Sequence, residues 1–237
     1  MGYYGGDSCA YYSVSCGAYE FYGMPAGGGT SPNPSCTCQQ CQSAAGSLGT
    51  YLVWTLEGPG SAGSYTPSQW GQAQADAAMQ QRVALASTIS TLTVFFDVES
   101  SSGGWGTNQT NNQSVLEAAL ATVVSQGQTL GYTFTPGVYI SIGSSDNKWN
   151  YYFGASYVPS TPFVLWAALH QCYTCTQAAS LWPDYYSSVP IHAGGQEIVI
   201  AQYYIGGGAC SGSGSADLDY MEQNPQNGIF QPVAYQS

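Results

Sequence analysis

The sequence predicts an α/β domain whose eight strand candidates, alternating with helices, suffice to close a TIM (β/α) barrel. Three observations carry this expectation. Short apolar strand candidates recur along the chain, and Gln69 to Ser87 and Asn111 to Gln126 between them have helical composition. The segment Thr91 to Glu99 is apolar almost without a break until its carboxylates, the pattern of a parallel strand covered on both faces. At 237 residues the chain is long enough for one substantial core, and residues 1–237 read as a single domain. A doubly wound open sheet is the alternative, but no GxGxxG or GxxxxGK element follows any strand.

The first strand candidate is Gly2 to Gly6, ending at Asp7-Ser8-Cys9, and the second is Tyr19 to Met24, followed by a Gly- and Pro-rich stretch through Pro34. A short helix is expected near Cys41 to Ser47. Thr50 to Leu56 is rich in residues that pack well in a sheet. Thr66-Pro67-Ser68 then reads as the entrance to the helix over Gln69 to Ser87. After the Thr91 to Glu99 strand, Asn111-Asn112-Gln113-Ser114 opens a helix in which Val115, Ala119 and Val123 recur at helical spacing. Strands are expected at Gly137 to Ser141, Phe163 to Ala167, Ile198 to Tyr203 and Ala216 to Asp219, with short helices at Trp149 to Phe153 and Thr176 to Trp182. The helices are clear in the middle of the chain and poor at both ends.

Arg82 and Lys148 are the only fixed cations against thirteen Asp and Glu, a net charge of -11. Neutralising a phosphate backbone needs several Lys or Arg on one face, so a nucleic-acid partner is excluded, and an anionic membrane surface would repel the chain. Cysteines stand at positions 9, 16, 36, 38, 41, 172, 175 and 210, an even, high count that favours disulfides in an oxidising compartment. Cys9, Cys16, Cys36, Cys38, Cys41, Cys172, Cys175 and Cys210 are thus disulfide candidates, with no pairing assigned. The spacings Cys36-x-Cys38-x-x-Cys41 and Cys172-x-x-Cys175 also suit zinc knuckles, but with His170 and His192 as the only histidines this is the weaker reading. No metal or cofactor is expected. A secreted or cell-surface location follows from the cysteines and from the glycan-acceptor patterns Asn108-Gln109-Thr110 and Asn112-Gln113-Ser114, although no signal peptide or transmembrane-length apolar run is present.

The chemistry centres on Asp97 and Glu99. Side chains alternate along a strand, so Phe95, Asp97 and Glu99 point one way and Val94, Phe96 and Val98 the other. Two acids on one face, about 7 Å apart along the strand, fall on the scale of glycosidase carboxylate pairs. Like charges raise one another's proton affinity, which is how one carboxyl group stays protonated as an acid while its neighbour stays ionised. The blander reading is that both acids merely terminate the strand. Asp7 follows the first strand candidate, and Asp217 and Asp219 lie at the last; in a closed barrel these strands are neighbours. Trp54, Trp105, Tyr139, Trp166 and Tyr203 lie near strand ends, where rings offer flat apolar faces to sugar C–H groups, although packing is as good an account of Trp54 and Tyr203. Neither histidine sits in HExxH, and no GxSxG elbow is present.

These pieces together carry a resemblance. Gly6-Asp7-Ser8-Cys9, Val94 to Glu99, Gly137 to Ser141, Phe163 to Ala167, Ile200-Ala201-Gln202-Tyr203 and Ala216-Asp217-Leu218-Asp219, in that order, resemble the secreted glycoside-hydrolase-like domains of uncharacterised bacterial proteins, which are similar to family 25 lysozymes. The resemblance implies a modified eight-stranded TIM barrel with reduced outer helices. It implies Glu99 as general acid, Asp97 and Asp7 polarising the site or stabilising an oxocarbenium-like centre, and Asp217 as the last acidic position, where the lysozyme-like Asp-x-Asn is Asp-x-Asp here. Gln202 and Asp219 join the aromatic candidates as substrate-binding residues, and the implied substrate is the glycan of peptidoglycan or a related polysaccharide. The competing reading is a catalytically inactive carbohydrate-binding or cell-surface structural protein that keeps the barrel.

Overall fold

The computed structural model describes residues 2–7, 21–33, 49–89, 91–99, 103–143, 146–168, 198–204 and 217–222. The strands are β1 (Gly2–Asp7), β2 (Phe21–Gly28), β3 (Ser31–Pro32), β4 (Gly49–Thr55), β5 (Thr93–Val98), β6 (Thr135–Gly143), β7 (Asp146–Asn147), β8 (Val164–Ala168), β9 (Ile198–Tyr204) and β10 (Asp217–Glu222). The helices are α1 (Pro67–Ala84), α2 (Gln109–Thr129) and α3 (Lys148–Phe153), with one 3-10 turn at Pro59–Ser61. All eight cysteines, His170, His192 and the helices expected near Cys41 to Ser47 and Thr176 to Trp182 lie outside the described residues.

One mixed sheet runs β1-β10-β9-β8-β6-β5-β4-β2-β3, with β7 hairpinned onto β6 and a further three-residue parallel pairing of β1 with β2. From β2 through β9 the successive long strands are parallel neighbours. Each of the eight strand candidates forms a strand, but the modified eight-stranded TIM (β/α) barrel that the sequence led us to expect does not form. That fold requires eight parallel strands, each followed by a helix. Among the described residues there are ten strands and three α-helices, and β10 runs antiparallel to both β1 and β9. The sequence between β9 and β10, Ile205 to Ala216, is mostly Gly and Ser, which are poor material for a crossover helix.

Alternation along the strands divides the core in two. On one face Leu52, Trp54, Val94, Phe96, Val98, Val138, Ile140 and Leu165 are buried beneath the helices. The opposite face carries a second cluster of Phe21, Tyr51, Val53, Phe95, Tyr139, Val164, Trp166, Ala168 and Ile200. The sheet is concave on this second face. Phe95 of β5 meets Trp166 of β8 edge to face at 5.3 Å, although β6 lies between them. Gly137 of β6 makes room: a Cβ there would fall 2.4 Å from the Phe95 ring.

Helix α1 begins where Thr66-Pro67-Ser68 predicted. Thr66 is the N-cap, its hydroxyl accepting from Gln69 N–H while the Gln69 side chain returns to the Thr66 backbone N–H. Trp70, Gln74, Ala78 and Arg82 recur every four residues on its buried side. Asn108 caps α2 with its side-chain oxygen and is exposed, whereas Asn112 is fully buried and both its amide hydrogens are donated, to Gly106 and Tyr152 carbonyls. Among the described residues no helix is long and apolar enough to cross a membrane.

Candidate active site

In parallel α/β sheets, ligands bind outside the C-terminal strand ends, where the following loops diverge. Asp97 stands near that end of β5, half-buried, with its backbone in register with Thr55 of β4 and Tyr139 of β6. It shares the concave face with Phe95, two residues below. Glu99 follows β5 directly and is also half-buried. The reversal of β10 brings its first residue to the rim where β1 ends. Its first residue, Asp217, pairs with Asp7, the last residue of β1, while Asp219 stands opposite Gly5 on one side and Gln202 on the other.

The concave face beneath the rim is aromatic. Tyr139 and Trp166 meet edge to face at 5.6 Å, and Tyr51 meets Phe95 in the same manner at 5.6 Å. Burial pushes the Tyr51 phenol far above its ordinary pKa. The Tyr139 hydroxyl donates to Gln202 Oε1 at 2.8 Å, reaching from β6 past β8 to β9. Tyr203 occupies the next position of β9.

Two aromatic candidates lie elsewhere. Trp54 is fully buried under the helices, and its indole N–H donates to the Gly29 carbonyl at 3.0 Å, so it is a packing residue. Trp105 lies in the loop after β5, half-buried, donating to the Leu56 carbonyl at 2.9 Å and packed on Tyr152 and Phe153. That loop is sewn to the one after β4 by Gly58 N–H to Gly103 carbonyl and Gly60 N–H to Gly104 carbonyl bonds of 3.1 and 2.9 Å. A Cβ on Gly58 would stand 2.5 Å from Gly104, so the two backbones need glycine to approach this closely.

Both cations of the chain have partners of their own. Arg82 donates through Nε and Nη2 to the Thr91 carbonyl, before β5 begins and hence at the opposite end of the sheet. Lys148 pairs with Asp146 at 2.8 Å, and this hydrogen bond raises the Lys148 pKa. A third half-buried carboxylate escaped the sequence reading. Glu57 stands two residues beyond Thr55, as Glu99 stands two beyond Asp97, and its carboxylate packs against Gly29. Its signal was the same as for Asp97 and Glu99, an acid directly after a buried strand. Gln74 of α1 grips this residue, its side chain bonding the Glu57 backbone N–H and carbonyl at 2.7 and 3.0 Å.

No family model matches the chain, and no curated protein is similar to it in sequence. Solved structures are similar in fold. The spore cortex lytic enzyme SleM of Clostridium perfringens superposes with a TM-score of 0.57 at 11% identity, over 95% of this chain and 68% of that one. The catalytic domain of the endolysin ply40, from bacteriophage P40 of Listeria monocytogenes, gives 0.54 at 13% identity and covers 94% of both chains. The modular autolysin LytC of Streptococcus pneumoniae, solved with a synthetic peptidoglycan ligand, gives 0.54 at 9% identity over 93% of this chain. The present chain spans about half of LytC, 47% of its length. Over most of its length, therefore, the chain shares the fold of these autolysin, spore cortex lytic enzyme and endolysin structures.

Proposed function

We propose that this lysozyme-like chain is a glycoside hydrolase that cleaves a peptidoglycan-like or other polysaccharide by carboxylate acid/base chemistry. The observation that carries the reading is the register: Asp7 opposite Asp217 on one pair of strands, and Asp97 followed by Glu99 on another, all at one rim of the sheet. The names of the similar structures, an autolysin with a peptidoglycan ligand and a spore cortex lytic enzyme, support the substrate class.

In this reading Glu99 is the general acid, giving its proton to the glycosidic oxygen as the bond to the anomeric carbon breaks. Asp97 and Asp7 stabilise the oxocarbenium-like centre that develops there, and Asp217 completes the acidic rim. Water then supplies a hydroxyl to the anomeric carbon and returns a proton to the carboxylate. Tyr139, Trp166 and Gln202, on the concave face, contact the sugar in this reading. Such an enzyme acts outside the cell or at its surface, in keeping with the cysteine content.

The test is incubation with purified peptidoglycan and a panel of polysaccharides at acidic and neutral pH, alongside Glu99→Gln and Asp97→Asn. New reducing ends from the wild type, lost by at least about a hundredfold in Glu99→Gln, are expected. Binding by both proteins with cleavage by neither would leave a carbohydrate-binding protein and overturn the proposal.

A further inference from the structure

We infer that Tyr139 and Gln202 form a fixed recognition element in which the phenol hydroxyl holds Gln202 Oε1 and thereby presents Gln202 Nε2 as a donor to an oxygen of the bound glycan. The inference rests on the glycosidase reading and assigns an atom of the same site.

Gln202 is 1% exposed, and among the described residues its Nε2 has no hydrogen-bond partner. An amide presents one acceptor oxygen and two N–H donors. Leaving such donors buried and unpaired forfeits their bonds to water with nothing in return, so native folds satisfy nearly all of them. A purely structural glutamine would be tied at both ends, as Gln74 is through its bonds to the Glu57 backbone. Gln202 is anchored at its oxygen alone, by Tyr139 at 2.8 Å.

The anchor is itself held. Tyr139 is 6% exposed, and its ring stands at 90° to that of Trp166. Between Tyr139 and Gln202 lies β8, whose residue in register with Gln202 is Ala168, small enough for the phenol to pass. Gln202 faces Asp219 on its other side, one strand from the Asp7 and Asp217 pair. Buried indole N–H groups of Trp70 and Trp149 also have no partner among the described residues, but both belong to the cluster under the helices, away from the rim. Gln202 Nε2 instead lies on the concave face, where a ligand can satisfy it. A site built in this manner discriminates against sugars that lack the matching oxygen.

The test uses soluble glycan strands released from purified bacterial peptidoglycan. In Glu99→Gln protein, which does not consume the strands, the Gln202 side-chain amide signals are identified in nitrogen-15 NMR spectra by their loss in Gln202→Glu. Addition of strands should shift those signals. With wild-type Glu99, Gln202→Glu should raise KM about tenfold and Tyr139→Phe about threefold, with kcat nearly unchanged, the signature of a lost binding hydrogen bond. Should Gln202→Glu fail to fold, Tyr139→Phe keeps the ring and carries the kinetic test. Strands that bind without moving the amide signals, or KM unchanged in both variants, would overturn the inference and leave the glycosidase reading standing. A wild type that neither binds nor cleaves the strands overturns both.

Discussion

Replacing Gly71 by alanine should destabilise the fold, although alanine is the better helix former. Gly71 is a buried residue of α1 where that helix crosses α2, and a Cβ there would lie 2.1 Å from the Val115 carbonyl oxygen and 2.9 Å from its carbon. Ordinary contact begins at 3.4 Å, so the shortfall is about 1.3 Å against a backbone atom that no rotamer change can move. In an exposed helix the exchange would gain about 1 kcal/mol of propensity. Here the two helices must separate, and overpacking of a tight interface costs about 1–3 kcal/mol. The wider gap would also loosen the cover over Trp54 and Phe96. The expected net loss is up to about 2 kcal/mol, read from urea unfolding followed by tryptophan fluorescence, with the exposed Gln72→Ala changing stability by no more than about 0.5 kcal/mol. A Gly71→Ala protein more stable than wild type would refute the close crossing.

Two further outcomes follow from buried groups. Burial holds the Tyr51 phenol well above its ordinary pKa, and burial followed by Glu117 does the same to Tyr157. Both stay protonated in the folded chain above about pH 10, where unfolded tyrosines ionise, so the unfolded state binds fewer protons and stability falls with rising pH. Tyr51 alone contributes a slope of about 1.4 kcal/mol per pH unit, and Tyr51→Phe should flatten the alkaline limb of the stability profile. Gln74→Ala leaves the part-buried N–H and carbonyl of Glu57 without their partners and should cost about 1–3 kcal/mol in the same urea assay. A neutral effect would mean that water replaces both bonds.

Much of the local structure was legible because it rests on local rules. Thr66-Pro67 announced α1 through capping chemistry, and the unbroken apolar run before Asp97 announced β5. Other features depend on what packs against them. Strand β2 continues through Met24-Pro25-Ala26-Gly27-Gly28, residues of low strand propensity, because Trp54 covers them; a Cβ on Gly27 would fall 2.4 Å from that ring. The same cover explains why Trp54 is a core residue rather than a sugar platform, since a strand apolar on both faces does not reveal which face meets the helices. The antiparallel course of β10 was equally hidden, because alternation reads the same in both directions. The Tyr139 to Gln202 bond depends on the curl of the sheet across β8, a property of no single segment.

Glu99 carries the proposed chemistry, and its most direct test is digestion of purified peptidoglycan in oxygen-18-labelled water, followed by mass spectrometry of the released fragments. Wild-type protein should yield fragments with a new reducing sugar that carries one labelled oxygen, and Glu99→Gln should yield none above background. Release of labelled fragments by Glu99→Gln at the wild-type rate would contradict the assignment of the acid, and absence of release by a folded wild type on every glycan tested would contradict the hydrolase itself.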